Sequence, residues 1–103
     1  MKKQKITNVV SIGFYRRDQW PLLLETADDR QALEDTYDNW VLSFEKGLAM
    51  MRSSGVEPLR VDVDVKELLA WLKTREMNNT GVARAEFIAE LSRQGRGKKM
   101  DTK

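Results

Sequence analysis

In "TADDRQALEDTYDNWVLSFEKGLAMMRSSG", Leu33, Tyr37, Trp40, Phe44, Leu48 and Met51 recur at steps of four, three, four, four and three. That is one apolar stripe along an α-helix, a period a strand does not share. Asp28 or Asp29 can cap its start, where carboxylates also suit the positive end of the helix dipole. Gly55 can close it in the left-handed conformation, and Pro58 keeps it from resuming. The spacing predicts a helix over 29–53, roughly 37 Å long at 1.5 Å per residue. In a chain of 103 residues, such a rod is either the spine of the fold or a surface partly meant for a partner.

Two other stretches read as strands. "NVVSIGFY", residues 8–15, is rich in β-branched and aromatic side chains, with Gly13 marking a bulge or a close backbone approach. A short helix over 19–26 follows, with Asp18 as its cap and Pro21 in its first turn. Further on, Leu59, Val61, Val63 and Val65 alternate with Arg60, Asp62 and Asp64, which predicts a second strand over 58–65. Asp62 and Asp64 invite a metal reading, but hard cations want about six or more oxygens and no histidine is present to help. The sequence "DVKE" instead has the spacing of a capping box, so Asp64 is assigned to the start of the next helix. Asp62 is then left on the polar face of the strand, solvated or paired with a base. "KELLAWLKTREM" continues as a helix through Leu68, Leu69 and Leu72, "NNTG" makes a turn, and "VARAEFIAELSR" predicts a last helix over 81–93. Its apolar positions are Val82, Ala85, Phe87, Ile88 and Leu91.

The expected architecture is therefore α+β, with two short strands, a long central helix and further helices in the order β-α-α-β-α-α. A basic tail (1–7) precedes a single domain (8–93), and a disordered basic tail (94–103) follows. Because helices and not a hairpin join the two strands, they are expected to run parallel. A sheet of two strands is marginal in water. Its edges must be short, covered by helices, or paired with another chain.

Composition narrows the chemistry. There is no cysteine and no histidine, which removes thiolate chemistry, the commonest general base and every Ser-His-Asp arrangement. No glycine-rich phosphate loop is present. The carboxylates of "ADDRQALED" are accounted for by helix capping. The reading is of a non-enzymatic protein with no catalytic residue, cofactor or metal. No apolar run approaches the length of a membrane span, and the N-terminus lacks the pattern of a signal peptide, so a cytoplasmic protein without a membrane partner is expected.

Charge is segregated. Residues 1–17 carry five bases and no acid, whereas 18–38 carry seven acids against Arg30. Such asymmetry fits self-association or nucleic acid. The leading expectation is a self-associating interaction or accessory protein, most simply a twofold homodimer, with room for an unidentified protein partner. Its interface would be the helix residues Trp40, Phe44, Leu48 and Met51, or the strand edges. The alternative is a nucleic-acid accessory role for Arg16, Arg17, Lys98 and Lys99. Helices over 65–93 with Gly81 between them outline a helix-turn-helix, but the second begins "GVARAEF" with one base and carries Glu86 and Glu90.

The segments "YRRDQWPLLLETADD", "YDNW", "DVDVKELLAW" and "ARAEF" together resemble a small family of uncharacterised bacterial proteins, a domain of unknown function, across roughly Tyr15 to Leu91. The resemblance implies a bacterial, cytoplasmic, single-domain protein. The family has no assigned activity, so the resemblance carries over no site residue.

Overall fold

Uncharged and rich in β-branched side chains, Asn8–Tyr15 form strand β1. The computed structural model of the protein describes residues 8–100. After β1 come helices α1 (Trp20–Thr26) and α2 (Tyr37–Ser53), strand β2 (Val56–Val63), helices α3 (Val65–Arg75) and α4 (Gly81–Arg93), and strand β3 (Gly97–Lys99). The order is thus β-α-α-β-α-α-β. The mixed α and β content is as expected; the described residues hold three strands, not two.

β1 and β2 pair in parallel from Asn8 opposite Val56 to Tyr15 opposite Val63, as the helical crossover between them implies. β3 adds antiparallel to the other side of β2, with Leu59 opposite Lys99 and Val61 opposite Gly97. It lies inside the segment 94–103 that composition assigned to disorder. Three contacts explain the difference. Gly97 packs so tightly that a Cβ on it would sit 3.3 Å from Leu59 Cδ1. Arg96 and Lys98 reach Glu67 and Asp62 at 3.2 and 3.3 Å. Gly95, at φ +85°, supplies the turn out of α4. The remaining tail residues, 1–7 and 101–103, lie outside the described residues.

Helix α2 starts at Tyr37, eight residues later than the stripe suggested. Thr36 is its cap and accepts from Asn39 N at 3.1 Å. Asp28 and Asp29 are drawn elsewhere: Asn79 N donates to Asp28 Oδ2 at 2.7 Å, and Gly81 N donates to Asp29 Oδ2 at 2.9 Å. They serve the start of α4, some fifty residues away in sequence. Asp18 likewise does not cap α1; it takes Arg16 Nε at 3.1 Å.

β2 ends at Val63, two residues short of expectation, because Asp64 leaves the strand to cap α3. Its Oδ1 accepts from Lys66 N at 2.8 Å and Glu67 N at 3.2 Å. Buried Gln19 braces the same corner, accepting from Val65 N at 2.8 Å and donating to Asp64 at 3.3 Å. The paired aspartates are a strand running into a helix.

Side chains alternate across the sheet. On one face Gly13 lies against α4, where a Cβ would come 2.5 Å from Ile88 Cδ1. On the other face Phe14 meets α2 through Trp40 and Phe44, with ring centroids 5.3 and 5.2 Å apart. The α4 side holds most of the core: Leu23, Val61, Val63, Leu68, Leu72, Phe87 and Leu91 are all buried. No residue of α2 is buried.

Candidate interaction surface

The two edges of the sheet are built differently. β3 is three residues long and carries Lys98 and Lys99, two of the devices that keep an edge from pairing. β1 is eight residues long, with no charge and no proline. Among the described residues its outer side meets no other strand. Tyr37 Oη donates to Tyr15 O at 2.6 Å and so closes the far end. Val9 and Val10, at 58% and 40% exposure, stand at the near end. An open, uncharged edge is a template for another strand.

Above this edge, on the α4 face, lies an open groove of about 430 Å³ lined by Ser11, Ala85, Ala89, Ser92 and Arg93. Ser11 Oγ and Ser92 Oγ are 2.6 Å apart and fix α4 to β1. The groove exists because α4 has two apolar stripes. Ala83, Phe87 and Leu91 point into the core, while Val82, 72% exposed, and the exposed Ala85 and Ala89 point out along the edge. Val82 and Ala85, expected among the apolar positions of this helix, belong to the outer stripe. The signal was present in the sequence as Val82, Ala85 and Ala89 at helical spacing, but the two stripes overlap in spacing.

The sequence-proposed interface on α2 has a mixed character. Trp40 and Phe44 stack with Phe14, and Trp40 also meets Tyr15, Trp20 and Tyr37 with centroids 5.6, 5.3 and 5.4 Å apart. All four residues, Trp40, Phe44, Leu48 and Met51, are half-buried. The large apolar side chains most exposed on α2 are Leu42 and Met50.

The basic residues fall into two places. Arg16 and Arg17 follow β1, where Arg16 pairs with Asp18 and Arg17 pairs with Asp38 at 2.7 Å while stacking over Tyr37. Lys98 and Lys99 lie on β3, and Lys98 pairs with Asp62. Three of the four bases therefore already face a carboxylate. A second hollow, about 300 Å³, brings Arg16, Arg60 and Arg96 together with Asp62, Asp64 and Glu67. It is balanced in charge, and Arg60 both bonds Asp62 at 2.7 Å and covers the Phe14 ring.

The carboxylates of the 27–35 stretch and Asp62 have separate structural partners. Asp28 and Asp29 hold the start of α4, Glu34 accepts from Ser43 Oγ, Asp35 pairs with Arg30, and Asp62 pairs with Arg60 and Lys98. The hydrogen bonds of Arg84 hold the Asp29 pKa below its usual value. Burial acts to raise Asp62, but hydrogen bonds from Arg60 and Lys98 outweigh it and hold it low as well. Both shifts run opposite to what a general acid at neutral pH needs. Among the described residues no three acids cluster as a metal site, and no helix is long and apolar enough to cross a membrane.

No family model, curated protein or solved structure matches the chain.

Proposed function

We propose that the protein is a non-enzymatic interaction module of the bacterial cytoplasm whose working state is a twofold homodimer. The observation that supports this reading is the outer edge of β1: eight uncharged residues with exposed Val9 and Val10 and no neighbouring strand among the described residues. Soluble chains protect such edges with charge, proline or brevity, and β3 on the opposite side is protected in that way. A core confined largely to one face of a small sheet gives a further incentive, because burying more apolar surface stabilises a domain of this size. Native mass spectrometry of the untagged protein is expected to give near twice the chain mass of 11.9 kDa. A mass of one chain at every concentration sampled would reject self-association.

A further inference from the structure

From the bonding in one hollow we infer that the protein binds a small zwitterion, a free α-amino acid, at the carboxyl ends of β1 and β2. Its carboxylate is held by Arg16 and Arg60, and its ammonium group by Asp64 and Glu67. Tyr15 lies opposite Val63 in the parallel pair, so Arg16 and Asp64 leave the two strands side by side. Glu67 comes from the first turn of α3, and Arg96 from the segment entering β3. These side chains line the hollow of about 300 Å³, which is at the small end of ligand pockets. The crevice outside the carboxyl ends of parallel strands is where such sheets hold their ligands.

Unused bonding capacity on its walls singles this hollow out. A guanidinium carries five N–H donors. Arg16 uses Nε on Asp18 at 3.1 Å, and Arg60 uses Nε on Asp62 at 2.7 Å. Among the described residues, the two terminal nitrogens of each find no acceptor. That is a paired end a carboxylate takes with two parallel bonds. Arg60 is also fixed in place, its guanidinium 4.0 Å from the centre of the Phe14 ring, so little ordering is left for a ligand to impose. The acids are engaged in the same one-sided way. Asp64 Oδ1 accepts from Lys66 N, Glu67 N and Gln19 Nε2, and Glu67 Oε1 accepts from Arg96 at 3.2 Å. Asp64 Oδ2 and Glu67 Oε2 accept from none of the described residues. Arg16, Arg60 and Arg96 against Asp62, Asp64 and Glu67 leave the hollow neutral. A simple anion would meet the carboxylates, and a simple cation the guanidiniums. A molecule bearing both charges answers both sets of unused atoms and leaves the balance as it is.

L-Alanine, propionate and ethylamine share a carbon frame and differ in which charges they carry, so they are the probes. Each is titrated into the isotope-labelled full chain while backbone amide and arginine Nε–H signals are followed by NMR. L-Alanine is expected to move the Nε–H signals of Arg16 and Arg60 and the amides of residues 63–67, with a Kd at least about tenfold below that of either half-molecule. Arg16→Gln alters a side chain 53% exposed whose partner Asp18 is 73% exposed, so the melting temperature should not change. It should weaken L-alanine about tenfold and tighten ethylamine. Glu67→Gln should do the reverse to the halves, weakening L-alanine and tightening propionate, because one carboxylate leaves the hollow. Propionate or inorganic phosphate binding as tightly as L-alanine would overturn the proposal and make this a plain anion site. L-Alanine shifts that persist unchanged in both variants would overturn it too, as would no shift at the highest soluble concentration. None of these outcomes depends on whether the chain pairs with its own copy.

Discussion

Trp20→Ala is expected to cost about 3–5 kcal/mol, the usual range for removing a large aromatic ring from a core. Trp20 is 3% exposed and sits between Tyr15, Tyr37 and Trp40, with centroids 6.1, 6.0 and 5.3 Å away. It is the ring that joins the buried core to the half-exposed helix α2. Domains of this length have roughly 5–15 kcal/mol of stability, so the loss lowers the melting temperature by at least roughly 12 °C. Trp20→Phe is expected to behave differently. The indole Nε1 is buried with no acceptor among the described residues, and an unsatisfied buried donor costs about 1–3 kcal/mol. Phenylalanine keeps a ring against its neighbours and deletes that donor, so its cost should stay within about 1.5 kcal/mol. Urea unfolding of both variants decides the matter: equal losses would contradict this account of the indole.

The second large effect belongs to Arg84, 7% exposed. Its guanidinium donates to both oxygens of Asp29, at 3.0 and 2.9 Å, and to Asn79 Oδ1 at 2.8 Å. Asp28 N and Asn79 O close the same junction at 2.9 Å. The bidentate pair fastens the loop after α1 to the start of α4, and through it the groove wall. Arg84→Met takes the guanidinium from both oxygens of Asp29, which keeps the Gly81 N–H, and from Asn79 Oδ1. Breaking a fully buried pair costs about 3–5 kcal/mol; Asp29 keeps some contact with solvent, so about 2–4 kcal/mol is expected at neutral pH. The pH dependence gives an independent check. The folded-state pKa of Asp29 is depressed, so its contribution is fully present above the unfolded carboxylate value of about 3.9 and is lost as pH falls through the depressed one. The deficit of Arg84→Met relative to the parent should therefore shrink as pH drops below about 4. A deficit constant with pH would mean that the arginine acts by packing and not by charge.

These two sites also show what the sequence could and could not reveal. The first strand ends, and the last helix begins and ends, where their local pattern says, because β-branched side chains and the Thr80 cap act on near neighbours. Asp64 was legible for the same reason. Asp28 and Asp29 were not, since their partners Asn79, Gly81 and Arg84 lie fifty or more residues away, and a local cap was an equally good use of them. β3 was hidden because glycine and lysine read as disorder unless Leu59 and Asp62 are known to be alongside. The groove was half-visible. Ala85 and Ala89 carry no chemistry of their own, and only the position of α4 over β1 gives them a role. Strand edges were among the expected interfaces, but which edge was open depended on the third strand.

Under the proposed self-association, the outer edge of β1 is where the protein meets its own copy. Amide hydrogen exchange across residues 8–14, measured at dilute and at concentrated protein, tests it most directly. In a ladder with β2 alone, alternate β1 amides face outward and exchange freely. Those alternate amides are expected to become protected as concentration rises, while the amides of α3 exchange at an unchanged rate. Exchange in β1 that is independent of concentration, in a sample whose mass is that of two chains, would contradict it.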